Sequence, residues 1–229
     1  MTDRRAEALV DLWLRKPTAA TADVEASGPE LLDDVELARW RRFTHPASAR
    51  SYAVAHALAR NEIGRLVGRD PASIRFDRTC ETCGAQHGRP RLLDDPELHL
   101  SLSRTPGLVA VALSRSGPVG VDVEPRAAAS FEGFDEVALH PDERAPRTAA
   151  ATERVTAWVR KEAALKALGV GLRVDPASIR TPEEGRAAAV VAGLPPVTVV
   201  DVGLDVGPHV GLDVEPCPPD PHPLAHAVA

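Results

Sequence analysis

The chain has 229 residues, a net charge of −6 and a composition that is 44% hydrophobic but only 3% aromatic. That length suffices for one large domain or two small ones, burying roughly 70% of the unfolded surface around a core of Ala, Val and Leu. No stretch approaches the ~20 apolar residues of a membrane span. No apolar signal region follows Met1-Thr2-Asp3-Arg4-Arg5-Ala6-Glu7, and three cysteines are too few for a disulfide scaffold. A cytoplasmic protein without a membrane partner is expected.

The spacing predicts a strand over 10–14 and a helix over 31–43, with Leu32, Val35, Trp40 and Phe43 near helical intervals. Pro46 interrupts, and Ser48 can cap a second helix that runs to about residue 67, where Gly68 and Asp70-Pro71 stop it. A short strand over 73–77, a loop over 80–90 and strands over 98–103, 109–114 and 119–124 follow. The last two are joined by the turn Arg115-Ser116-Gly117-Pro118. In the second half Pro141-Asp142-Glu143 resembles a helix start, and 152–168 is a strong helix closed by Gly169 and Gly171. Segments 197–206 and 210–214 read as a hairpin around Gly207-Pro208-His209. Five of the eight residues from Pro216 to Pro223 are proline, so a flexible tail is expected over 216–229. The expected organisation is two α+β halves, 1–118 and 119–215, packed closely together.

Charge is unevenly spread. From Arg39 to Arg91 eleven arginines face four acids (Glu62, Asp70, Asp77, Glu81), a local balance of +7 that leaves −13 for the rest. A basic segment on an acidic chain suits an anion site better than general affinity for nucleic acid; a solvated arginine-rich helix face would give the same count. The chain has 24 Arg and only three Lys (Lys16, Lys161, Lys166). Two of these lysines lie in one short helix, which hints at a need for compact ammonium groups there.

Two segments carry chemistry. In Gly120-Val121-Asp122-Val123-Glu124-Pro125, a strand would turn Asp122 and Glu124 to one face. Paired hard oxygen ligands suit magnesium, which takes one or two carboxylates plus substrate phosphates; a wet acidic edge strand would show the same pattern. In Trp158-Val159-Arg160-Lys161-Glu162-Ala163-Ala164-Leu165-Lys166, helical spacing places Trp158, Glu162 and Lys166 on one face with Lys161 beside them. Glu162 could be a third metal ligand or a base, and both lysines could bind phosphate oxygens.

Taken in order, these segments resemble the paired signature of the 4′-phosphopantetheinyl transferase superfamily, and the length and two-part layout resemble its larger, surfactin-type members. Trp40-Arg41-Arg42-Phe43, His87-Gly88-Arg89-Pro90 and Ser101-Leu102-Ser103-Arg104-Thr105 are similar to further family segments. The resemblance implies an α+β pseudo-dimer of two similar halves, each a small antiparallel sheet packed with helices, with coenzyme A between them. It implies transfer of phosphopantetheine from coenzyme A to a serine of an apo acyl or peptidyl carrier protein, with release of 3′,5′-ADP. By position, Asp122, Glu124 and Glu162 would hold Mg2+ (or Mn2+), and Glu162 would help deprotonate the serine. Lys161 and Lys166 would steady phosphates and leaving group, and Arg42, Arg50, Arg89 and Arg104 would meet the adenosine phosphates. A monomer serving polyketide, nonribosomal peptide or fatty acid synthesis would follow. A non-catalytic binder of coenzyme A or carrier protein on the same fold is the alternative, and a magnesium phosphohydrolase a third. The family usually has His where this chain has Arg104, which keeps the positive charge but not its titration.

Two further patterns are read as silent. Cys80-Glu81-Thr82-Cys83-Gly84 followed by His87 looks like half of a zinc knuckle, but structural zinc wants four ligands; His99, His209 or Cys217 could complete the set, and nothing in the spacing demands it. A tight loop with two free thiols is expected. Gly211-Leu212-Asp213-Val214-Glu215-Pro216 nearly repeats the first acidic hexamer, but no helix follows to bring a third carboxylate.

Overall fold

A computed structural model describes residues 8–17, 30–144, 151–202, 209–214 and 225–228. In chain order it contains strand β1 (Ala8–Arg15), helices α1 (Asp34–Trp40) and α2 (Pro46–Val67), and strands β2 (Phe76–Thr79), β3 (Gln86–Leu92), β4 (His99–Arg104), β5 (Val109–Ser114) and β6 (Val119–Val121). Helices α3 (Phe134–Ala138) and α4 (Ala151–Ala167) and strands β7 (Val197–Val200), β8 (His209–Val214) and β9 (Ala225–Val228) complete it. Among the described residues no helix is long and apolar enough to cross a membrane.

The α+β class is as expected. β4, β5, β1 and β8 form an antiparallel sheet in that order, and β2 and β3 a separate antiparallel pair. On one face of the larger sheet Trp13, Val109, Val111 and Leu113 close a core with Ala55, Leu58, Ala59 and Ile63 of α2. The alternating strand residues Leu12, Ala110 and Ala112 turn the other way, against Val119 and Val121. The sheet is therefore covered on both sides, which explains why β5 is buried at every position.

Several boundaries differ from expectation. α1 is seven residues long and begins after Asp33. The Asp33 carboxylate accepts the Glu36 N–H at 2.9 Å, and Glu36 accepts the Asp33 N–H at 3.0 Å, a capping box that fixes the start. α2 opens with Pro46, whose missing N–H costs nothing at the first helical position, rather than at Ser48. The expected loop over 80–90 contains the start of β3; its His-Gly-Arg-Pro sequence lacks apolar alternation, and Pro90 is tolerated because a two-stranded sheet has only edges.

The C-terminal region departs most. The expected hairpin of 197–206 with 210–214 does not form: β7 joins a three-stranded sheet of order β6-β9-β7, while β8 pairs with β1. In that small sheet β9 runs parallel to both neighbours, whereas antiparallel pairing was expected. The chain leaves β6 and returns as β7 through α3 and α4, the long crossover that parallel strands require. β9 comes from the last part of the expected tail, because the proline count that marked 216–223 does not extend over Ala-His-Ala-Val.

Helix α4 lies directly on β6. A Cβ on Gly120 would fall 2.0 Å from the Ala163 carbonyl oxygen and 2.5 Å from the Ala167 nitrogen. Only hydrogen fits, so the glycine that opens the acidic segment sets the distance between strand and helix. Gly120→Ala is expected to destabilise the protein by about 3 kcal/mol, the upper range for overpacking against backbone. Gly107→Ala, where an added Cβ meets no atom within 4 Å, is the control. Denaturant midpoints measure both, and equal values would mean that α4 is free to shift.

Candidate active site

β6 ends at Val121, so Asp122 and Glu124 lie on an extended segment beyond the strand rather than on one strand face. Two serines of β4 hold that segment. Ser101 Oγ accepts the Val121 N–H at 3.0 Å, and Ser103 Oγ accepts the Val123 N–H at 3.2 Å. The two-residue period of a strand puts both hydroxyls on one side of β4, where they replace the carbonyls of a neighbouring strand. The sequence shows the Ser-Leu-Ser segment only as a resemblance and not this role, because nothing local says which backbone a hydroxyl will serve.

Ser103 also donates to Asp122 Oδ1 at 2.9 Å, and Lys166 Nζ reaches the same oxygen at 2.5 Å and the Val121 carbonyl at 3.3 Å. Asp122 is 3% exposed, yet its second oxygen, Oδ2, has no hydrogen-bond partner. A buried carboxylate oxygen left bare is costly, so it marks where a cation or a donor belongs. Glu162 stands one helical turn before Lys166 on α4. Burial is the main cause that raises its pKa, the Lys166 charge opposes this, and the Asp122 charge adds to it. Burial and then the Asp122 charge likewise raise the pKa of Glu124, with Lys166 opposing and Glu162 adding a smaller push. Among the described residues neither glutamate has a hydrogen bond or ion pair. The donor set is all oxygen, its members repel one another, and one oxygen is bare. Such residues fit a hard divalent cation, although in this arrangement the three carboxylates do not close to within 4.8 Å of one another.

Lys161 is not part of this group, which corrects its expected contact with phosphate. It is 0% exposed, and its ammonium donates to the Ala138 carbonyl at 2.9 Å, Glu143 Oε2 at 2.7 Å and the Pro176 carbonyl at 3.2 Å. All three donors of the ammonium are used. Adjacent helical residues point about 100° apart, so Lys161 and Glu162 cannot share a target. The rest of the signature is also split between site and scaffold: Arg160 grips Asp201 with two bonds of 2.8 and 2.5 Å, and Trp158 packs edge-on against Phe134.

One cavity reaches Lys166, the partner of Asp122, and a second shares Val35, Arg39, Gln86 and His87 with it. A cleft of about 710 Å³ has Lys166, Ser101, Arg89 and Gly169 in its wall together with Glu36, Arg78 and Gln86. A smaller cavity of about 580 Å³ is bounded by Arg39, Arg42, Phe43, His87 and Arg104. Arg104 lies over the rings of Phe43 and Tyr52 at 5.0 and 5.1 Å and donates one long bond of 3.5 Å to Ser51 Oγ, an orientation that still directs guanidinium N–H groups away from the rings. Burial lowers its pKa, as does the nearby Arg39 charge. No carboxylate among the described residues pairs with Arg39, Arg42 or Arg104. Arg39 was not singled out in the sequence; it sits in the last turn of α1, where its direction depends on where the helix begins.

Arg89 is spent on structure in part. It donates to the Ala167 and Val119 carbonyls, both at 3.1 Å, so it ties β3 to the α4–β6 contact while lining the larger cleft. Arg50 is exposed on α2 and lines neither cavity, so the structure does not bring it to the site. Asp213 lies on β8, opposite Leu9 of β1, and Glu215 is outside the described residues.

No curated protein sequence matches the chain. Residues 118–198 match the family model described as the 4′-phosphopantetheinyl transferase superfamily, and the matched stretch contains Asp122, Glu124, Glu162 and Lys166. Over this region the chain is similar to the 4′-phosphopantetheinyl transferase superfamily.

Proposed function

We propose that the chain transfers the 4′-phosphopantetheine group of coenzyme A to a serine of an apo acyl or peptidyl carrier protein, as a magnesium-dependent, surfactin-type enzyme. The observation that carries this reading is the Asp122 carboxylate: buried, fixed through one oxygen by Ser103 and Lys166, bare at the other, and flanked by Glu124 and Glu162. A division into two pseudo-symmetric halves at residue 118, action as a monomer and a cytoplasmic location belong to the same proposal.

Asp122, Glu124 and Glu162 would hold Mg2+ or Mn2+, which would supply charge neutralisation at the pyrophosphate oxygens. The carrier serine oxygen forms a bond to the pantetheine-side phosphorus, the bond from that phosphorus to the 3′,5′-ADP oxygen breaks, and the serine proton passes to Glu162. Lys166 holds Asp122 in place. Arg104, Arg42 and Arg39 receive the adenosine-side phosphates, and Lys161 holds α4 from the far side instead of touching substrate.

Incubation with coenzyme A, magnesium and a panel of apo-carriers, read by intact mass, tests the proposal. One phosphopantetheine should be added, and chelator should stop the reaction. Folded enzyme that binds coenzyme A without modifying any carrier would instead be the non-catalytic binder.

Arg104→Ala is expected to weaken coenzyme A binding about tenfold or more, as for a lost charged hydrogen bond. It should cost little with 3′-dephospho-coenzyme A, which lacks the phosphate assigned to Arg104. Arg104→His should bind progressively worse as pH rises above about 6.5, where histidine loses its charge. Titration calorimetry with both ligands checks this, and equal losses with each would remove the 3′-phosphate from Arg104.

A further inference from the structure

The β2–β3 hairpin carries a second donor set of different chemistry. Cys80, Cys83 and His87 each offer a ligand atom, and these atoms all lie within 4.8 Å of one another. No other trio of His, Cys, Asp or Glu among the described residues does so. Cys83 Sγ is 3.0 Å from His87 Nε2. Tetrahedral zinc, with bonds of about 2.3 Å to sulfur and 2.0–2.1 Å to nitrogen, holds its ligand atoms about 3.5–3.8 Å apart. The observed spacing brackets that value, so small side-chain rotations would admit the ion.

The backbone around the trio is built to present it. The Gly84 N–H returns to the Cys80 carbonyl at 2.8 Å, and the Cys80 N–H pairs with the Ala85 carbonyl at 2.8 Å, closing a tight turn. Gly84 has φ +71°, a left-handed conformation that an L side chain would resist. The Cys83 and Thr82 N–H groups are directed at the Cys80 sulfur. Amide groups that favour a thiolate are what a metal-binding sulfur needs. Cys83 and His87 are exposed, so an ion can enter without unfolding the hairpin.

We propose that Cys80, Cys83 and His87 form a zinc site with three protein ligands and water in the fourth position, separate in donor chemistry from the oxygen ligands around Asp122. Loading releases the two thiol protons to solvent and leaves a site of zero net charge: two thiolates, one neutral imidazole and Zn2+. The site braces a turn that matters to both cavities, since Gln86 and His87 line each of them. Thr82 Oγ1, inside the turn, accepts a 3.1 Å bond from Arg173, beyond the end of α4. Sequence spacing alone could not establish this, because it could not say that the imidazole folds back onto the two sulfurs.

The test uses full-length protein, reduced and stripped of metal. After exposure to Zn2+ and gel filtration, elemental mass spectrometry should find one zinc per chain. Zinc should protect Cys80 and Cys83 from alkylation, located by peptide mapping. Co2+ in its place should give a thiolate-to-cobalt charge-transfer band and intense tetrahedral d–d bands. Cys80→Ser with Cys83→Ser should abolish both bands, while Asp122→Asn and Cys217→Ser should retain them. No retained zinc, or zinc retained equally by the double variant, overturns the site. Loss of the cobalt bands in Cys217→Ser overturns its three-ligand form. If the double variant does not fold, zinc stoichiometry and alkylation of the native protein still decide.

Discussion

Asp122→Asn is expected to lower turnover by a factor of about 100 or more, on the order of 3 kcal/mol of barrier. The substitution keeps size and one hydrogen-bonding oxygen but removes the charge that Lys166 faces at 2.5 Å and the anionic character of the bare Oδ2. Glu124→Gln and Glu162→Gln should also lower turnover strongly, and excess magnesium should rescue them in part if they act as ligands. Asp213→Ala with Glu215→Ala is the contrast. Asp213 is on β8, three strands across the sheet from the β4 serines that hold Asp122, about 14 Å away. Turnover should stay within a few-fold of the parent. Single-turnover holo-carrier formation measures all four; a double variant as impaired as Asp122→Asn would move the acidic centre to the other hexamer.

The acidic centre was legible because its residues lie in two short segments whose spacing survives folding: a turn of helix and two positions of extended chain. What lay beyond the sequence is how those segments are held. Ser101 and Ser103 serve backbone N–H groups twenty residues away, and Lys161, identical in type to Lys166, is turned to the opposite side of α4. Residue type announces chemistry, but direction is set by the packing of α4, which Gly120 fixes through a contact of 2.0 Å for an absent Cβ. The sheet order was equally hidden. β8 and β9 are short apolar runs, and local pattern gives strand character without naming a partner. Proximity in sequence favours β7 as the partner of β8, whereas burial of the β1 edge decides the actual one.

Glu36→Gln is expected to destabilise the fold by about 3–5 kcal/mol, the usual cost of breaking a buried ion network from one side. Glu36 is 1% exposed and holds Arg60, itself 1% exposed, at 2.8 Å; it also binds Arg78 and lies 2.7 Å from His56 Nδ1. The network joins α1, α2 and β2, so its loss separates three elements at once. Among the described residues Asp33, 21% exposed, is the only other carboxylate in the ion pairs of these two arginines. Burial alone would raise the Glu36 pKa, but His56, Arg60 and Arg78 outweigh it and hold it at about 2. A depressed carboxylate stabilises the fold above its unfolded value near 4.3, and that contribution disappears as pH falls toward about 2. It amounts to roughly 3 kcal/mol for a shift of this size. His56 acts in the same direction: burial lowers its pKa, so stability present above about 6.5 declines as pH falls. The parent protein should therefore lose stability between pH 6.5 and 2, while Glu36→Gln starts lower and loses less below pH 4.5. Glu36→Leu combined with Arg60→Met removes both charges of the most buried pair and should be less damaging than Glu36→Leu alone. Urea denaturation at several pH values tests the argument: a parent-to-variant gap that stays constant from pH 7 to pH 3 would show that folding does not lower the Glu36 pKa.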